Sequence, residues 1–94
     1  MRPSSIALSK TSHEILRRLH PNIKGSIRKA LDELSKNPYG GKPLKEELSG
    51  LWSLAVSHYR IIYQVETNRV TVVYIAPRHD VYQHIRELLT EKKS

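Results

Sequence analysis

Arg60, Arg78, His79 and Tyr82 are the residues whose types could carry chemistry together, with Lys42 and Lys45 at the rim of the same group. The chemistry they suit is scission of an RNA phosphodiester. That reaction needs neither a metal nor a protein nucleophile, because the substrate's own 2′-hydroxyl can attack the neighbouring phosphorus. The protein must hold the chain in line, take one proton, give one, and stabilise the extra negative charge on the phosphate. Arginine meets the charge task and binds phosphate in a bidentate fork. Tyrosine or histidine can stack on a splayed base or move a proton. Each residue also has a plainer reading. Arg60 can be an ordinary surface or ion-paired residue, Arg78 a charge following a strand, Tyr82 a core residue of the last helix, and His79 simply exposed, since charges are usually solvated.

Other chemistries find less in the chain. The five histidines form no H-E-x-x-H or comparable ligand spacing, and His79, Asp80 and His84 make a grouping without geometry. No G-x-S-x-G nucleophile motif occurs. There is no cysteine, hence no disulfide framework and no thiolate metal site. Gly40-Gly41 lacks the preceding strand, the following helix and the G-K-[ST] ending of a phosphate loop, so it reads as a connector. No cofactor and no metal are expected. Sixteen Lys and Arg against nine acids give a formal charge of +7, which favours a polyanionic or acidic partner. No apolar run approaches the roughly 18 residues that span a bilayer, and Met1–Ser5 leads into no signal-like block. The expectation is a soluble cytoplasmic protein with no membrane partner.

The elements that must position these residues follow from the patterning. A chain of 94 residues makes one domain, taken as 1–94. Ser5–Leu8 reads as an edge strand. Ser9 or Thr11 can cap a helix carrying Ile15, Leu16 and Leu19 on one face, and Thr11 with Glu14 resembles a capping box. His20-Pro21 ends it. Asn22 can cap a second helix, in which Ile23, Ile27, Ala30, Leu31 and Leu34 recur at steps of three and four. Asn37–Pro43 is a loop by composition.

Trp52, Leu54 and Val56 then alternate with Ser53, Ala55 and Ser57, and Tyr59, Ile61, Tyr63 and Val65 with Arg60, Ile62, Gln64 and Glu66. These are two strands joined by a tight turn, each with one apolar and one mixed face. Thr67-Asn68 reads as a two-residue hairpin turn, since Asn tolerates positive φ. Arg69–Ala76 is a third strand, apolar on both faces, as a strand inside a sheet should be. Asp80 can cap a last helix through Tyr82, Ile85, Leu88 and Leu89. The order is β-α-α-β-β-β-α. The fold class is α+β: a small, mostly antiparallel sheet with a helical hairpin packed on one face. A meander of the last three strands would bring Arg60 and Arg78 close together.

The run Leu51–Val65, with Lys42-Pro43-Leu44 before it and Arg78…Tyr82 after it, resembles the RelE/ParE superfamily of type II toxin–antitoxin toxins, closest to the RelE-like messenger-RNA interferases. The resemblance covers the last two thirds by motif and the first third by element order, and implies the same fold. It implies that Arg60, the Arg of the Tyr-Arg-Ile-Ile-Tyr motif, contacts the scissile phosphate. Arg78 would be the acid or charge stabiliser, and Tyr82 would stack on the base or transfer a proton. Lys42, Lys45, His79, Ser53 and Ala55 complete the implied RNA-binding set. Two departures stand out. Ser53 and Ala55 fall where active ribonucleases often carry cations, and this chain reads Leu-Trp-Ser-Leu-Ala-Val where many relatives have arginine in place of Ala55. Ala76-Pro77 replaces a frequent Gly-His before the arginine. The implied partners are a cognate antitoxin, the ribosome and messenger RNA, with operator DNA met through the antitoxin. Two alternatives stay open: a ParE-like DNA gyrase inhibitor without a catalytic site, and a toxin-derived binding module that has lost activity.

Overall fold

Two amphipathic helices, a short antiparallel meander and one parallel edge strand account for the architecture of the described residues. A computed structural model describes residues 4–78. In chain order the elements are β1 (Ser5–Leu8), α1 (Lys10–Arg18), α2 (Pro21–Lys36), β2 (Lys42–Pro43), β3 (Trp52–Val56), β4 (Tyr59–Glu66) and β5 (Arg69–Pro77), with a single 3-10 turn at Glu46–Leu48. The helix expected around Tyr82, with Asp80 as its cap, lies outside the described residues.

The caps show where local sequence decides and where it does not. Ser9 caps α1, its Oγ accepting the Ser12 N–H at 3.1 Å. The Thr11–Glu14 box does not form. Thr11 lies inside the first turn, and Glu14 pairs with Arg17 at 3.2 Å. α2 is capped by His20 rather than Asn22, with His20 Nδ1 accepting the Asn22 N–H at 3.2 Å. Pro21 explains the shift: it takes the first helical position, where a missing N–H costs nothing.

The strands form one sheet in the order β1-β5-β4-β3-β2. β1 is one edge strand and runs parallel to β5, while the other pairings are antiparallel. Both helices pack on one face. Leu16, Ile27, Ala30, Leu31 and Leu34 meet Ile61, Tyr63, Val70, Val72 and Ile75 in the main core. A smaller cluster on the other face gathers Leu48, Leu51, Ile62 and Ala76, with Leu44, Val73 and Tyr74 against it.

A register shift between Ile62 and Tyr63 inserts Val73 as an extra residue in β5, so Ile62 faces Tyr74 and Tyr63 faces Val72. A bulge disturbs the ladder and leaves backbone groups to be satisfied elsewhere. Here α1 and its cap supply the donors. Ser9 Oγ donates to the Val73 carbonyl at 3.0 Å, and the fully buried Ser12 donates its Oγ to the Val72 carbonyl at 3.0 Å. The bulge is thus the point where α1 is fastened to the sheet.

Two details differ from the sequence reading. Lys42-Pro43, expected within a loop, pairs with β3 as a two-residue edge strand, Lys42 opposite Ser53 and Pro43 opposite Trp52. Thr67-Asn68 does turn the chain, but without positive φ; among the described non-glycine residues left-handed φ occurs at Ser57 (φ 55°), in the other hairpin, and at Glu46 (φ 57°), in the 3-10 turn.

Candidate nucleic-acid interface

Strand register lays out the sheet face opposite the helices in rows. One row runs Lys42, Ser53, Ile62, Tyr74; the next runs Ala55, Arg60, Ala76. Arg78 follows Ala76 by two positions, and its backbone N–H donates to the His58 carbonyl at 2.8 Å, tying it to the β3–β4 turn. Arg78 lies one residue past the end of β5, two positions on from the Ala76 that faces Arg60, so its backbone comes beside the β3–β4 turn. The meander brings the two arginines together at the turn end of the sheet, as expected.

Arg60 is half-buried between two alanines, Ala55 on β3 and Ala76 on β5. Its Nε–H is buried and has no acceptor among the described residues. A buried donor left unmet costs about 1–3 kcal/mol, more when it belongs to a charged group. The ion pairs between described residues lie elsewhere: Glu14 with Arg17 and Arg18, Asp32 with Lys36, and Glu66 with Arg69. None of them reaches the arginine end of the sheet. A guanidinium so placed is suited to an anion with planar pairs of oxygens, such as a phosphate.

The remaining predicted residues are placed unevenly. Arg78, Ala55, Lys42 and Lys45 are exposed. Pro77 stands opposite Tyr59 as the last residue of β5, so it ends the strand just before Arg78. Lys42 lies one row and two strands from Arg60, roughly 12 Å on ordinary strand spacing and rise. Lys45 precedes the 3-10 turn, next in sequence to the exposed Glu46 and Glu47. Ser53 shares this face but is only 2% exposed, so an RNA chain laid there meets its neighbours rather than Ser53 itself. His79, Tyr82 and the His79–Asp80–His84 grouping lie outside the described residues.

One residue of the site's framework escaped the sequence reading. Tyr63 counted only as an apolar position of its strand. Its hydroxyl accepts the Gly41 N–H at 3.0 Å and donates to the Pro38 carbonyl at 3.0 Å. Burial pushes its pKa above the usual 10.0, and the Gly41 hydrogen bond offsets that in part. Gly41 sits so close that a Cβ there would lie 2.5 Å from the Ser53 carbonyl oxygen and 2.6 Å from the Tyr63 hydroxyl. That approach is why glycine occupies the position directly before Lys42. The clue in the sequence was a tyrosine, not a phenylalanine, on a face otherwise built for burial, since a buried hydroxyl needs partners.

Fold and site together define the class: a small α+β domain whose sheet ends in a pair of arginines. Known proteins narrow it. Residues 6–82 match the family described as the ParE toxin of the type II toxin–antitoxin system parDE. The chain is 32% identical over 85 residues to toxin RelG of Mycobacterium tuberculosis, covering 86% of this chain and 98% of that one. It is also 32% identical over 85 residues to toxin RelE of the same organism, covering 86% and 88%. Its structure resembles a chain of the toxin–antitoxin complex RelBE2 from M. tuberculosis, with a TM-score of 0.76, 28% identity and coverage of 81% and 99%. The isolated RelE toxin of E. coli shares the fold at a TM-score of 0.68 and 19% identity, over 92% of this chain and 98% of that one. The chain belongs to the RelE/ParE superfamily of type II toxin–antitoxin toxins.

Proposed function

We propose that this toxin is a ribosome-dependent messenger-RNA endoribonuclease. Arg60 binds and stabilises the scissile phosphate, Arg78 stabilises charge or donates the proton to the leaving oxygen, and Tyr82 positions the base. The 2′-hydroxyl of the message attacks the adjacent phosphorus and the 5′-oxygen leaves, giving a 2′,3′-cyclic phosphate and a 5′-hydroxyl. Lys42, Lys45 and His79 hold the surrounding RNA. Outside the ribosome a cognate antitoxin, acidic enough to complement a +7 chain, blocks the cationic face in the cytoplasm. Operator DNA is met through that partner.

The observation that carries this reading is the Arg60 guanidinium, half-buried between two alanines with an unmet buried donor, with Arg78 just past the end of the adjoining strand. Positive charge held ready where the transition state becomes more negative is the strongest aid a protein can give to metal-free phosphoryl chemistry. The test is cleavage of a defined message on purified bacterial ribosomes. Arg60→Ala is expected to lose activity by ~10²–10³ without any fall in the melting midpoint. Unchanged cleavage would remove Arg60 from the mechanism.

A second reading, inhibition of DNA gyrase without catalysis, is favoured by the match to a ParE toxin family and by uncharged Ser53 and Ala55 in the middle of the face. It predicts that supercoiling fails before translation does.

A further inference from the structure

Lys42 stands at the end of a loop whose backbone is held by one side-chain oxygen. The Tyr63 hydroxyl accepts from Gly41 and donates to Pro38, both at 3.0 Å and both more than twenty residues away in sequence. The ring beneath is fully buried in the centre of the sheet. Trp52 stacks on it with centroids 6.4 Å apart, and Tyr39 meets Trp52 edge-on at 5.3 Å. The loop is therefore gripped at Pro38 and Gly41 by a hydroxyl and at Tyr39 by a ring. Gly41 also lies against the Ser53 carbonyl, in a space too small for any side chain. The next residue, Lys42, enters register opposite Ser53 and presents its exposed side chain on the arginine face.

We propose that the Tyr63 hydroxyl is a positioning group for Lys42, fixing the Gly41 backbone so that this lysine is held ready for an RNA phosphate at the edge of the Arg60 face. This rests on the ribonuclease reading above. The physical gain is preorganisation: a lysine on a pinned backbone loses less freedom on binding than one on a wandering loop. Phenylalanine in place of Tyr63 would keep the ring packing and remove only the grip on Gly41 and Pro38. Tyr63 does not touch substrate in this scheme; its effect reaches RNA only through Lys42.

That restriction makes the proposal testable by non-additivity. The experiment measures the Kd for purified bacterial ribosomes programmed with a defined message, together with the cleavage rate at saturation. Tyr63→Phe, Lys42→Ala and the double variant are compared, with melting midpoints as the folding control. Tyr63→Phe is expected to weaken binding about three- to tenfold, the size of one hydrogen bond, and to leave the saturated cleavage rate within about twofold. Lys42→Ala should do at least as much, and adding Tyr63→Phe to it should change nothing further. Gly41→Ala, whose Cβ would push the loop off both the Tyr63 hydroxyl and the Ser53 carbonyl, should reproduce the Tyr63→Phe loss.

Equal losses from Tyr63→Phe with and without Lys42 would overturn the proposal, because the hydroxyl would then act through the fold at large. So would an unchanged Kd in Tyr63→Phe or in Lys42→Ala; loss of cleavage in Arg60→Ala would meanwhile leave the ribonuclease reading standing. A wild-type chain that does not bind programmed ribosomes removes both together.

Discussion

Arg60 faces alanines on both neighbouring strands, where a guanidinium ordinarily meets a carboxylate. The ion pairs formed between two described residues sit on the helices or at the far sheet end. Ala55 is directly opposite Arg60 and exposed. A cation in a dry phosphate site is worth about 2–4 kcal/mol in the transition state. An exposed site is screened by salt, so the lower part of that range applies here. Ala55→Arg is accordingly expected to raise the cleavage rate on ribosomes by about 10–10². The same change sets like charges opposite each other and should cost about 0.2–1 kcal/mol of stability. A rate equal to that of the parent would show that position 55 stands outside the reacting phosphate's reach.

At the scale of elements, the β3–β4 hairpin and the loop before β2 deliver the site, and both store features that can be measured. Ser57 in the hairpin turn has a left-handed φ of 55°, which costs a residue with a Cβ about 1–2 kcal/mol. Glycine relieves that cost but gives back part of it as unfolded-chain entropy. Ser57→Gly should therefore stabilise by about 0.5 kcal/mol and raise the melting midpoint by roughly 2–4 °C; a lower midpoint would contradict the strain. Tyr63 gives a pH signature. Its folded pKa is raised above 10.0 by burial, so the folded state holds its proton where the unfolded state has lost it. Its contribution is complete below the unfolded pKa and falls as pH rises through and above 10.0. Alkaline unfolding should be steeper for the wild type than for Tyr63→Phe, and identical slopes would contradict the assignment.

Much of this element level was legible in the sequence. Two periodicities, about 3.6 in Ile23–Leu34 and 2 in Trp52–Glu66, specify the helices and the central hairpin, although Ser57, read as part of the first strand, belongs to the turn. What escaped depends on distance in the chain. The pairing of Lys42-Pro43 with β3 rests on the Tyr63 hydroxyl more than twenty residues away. The capping of α2 by His20 turned on Pro21 claiming the first helical position. For the site, the placing of Arg60 and the chain just before Arg78 at one end of the sheet was readable because register follows from alternation. The burial of Ser53 was not, since it is set by what packs over the face rather than by its own strand.

At the scale of the whole molecule the two sheet faces divide the work. One is sealed by α1 and α2 over the main core. The other carries a smaller apolar cluster and, at its turn end, the arginine pair with its unmet donor. A formal charge of +7 adds a long-range field that draws the chain to polyanions. Among the described residues no helix is long and apolar enough to cross a membrane. The central claim is that this face cuts messages on the ribosome. The most direct test is expression in cells of this chain, its Ala55→Arg form and its Arg60→Ala form, with growth followed and messenger-RNA 5′ ends mapped. New 5′-hydroxyl ends inside translated reading frames, more frequent with Ala55→Arg and gone with Arg60→Ala, are the predicted result. Growth arrest by the Ala55→Arg form with no new ends in any message, and with supercoiling lost first, would contradict it and put the gyrase reading in its place.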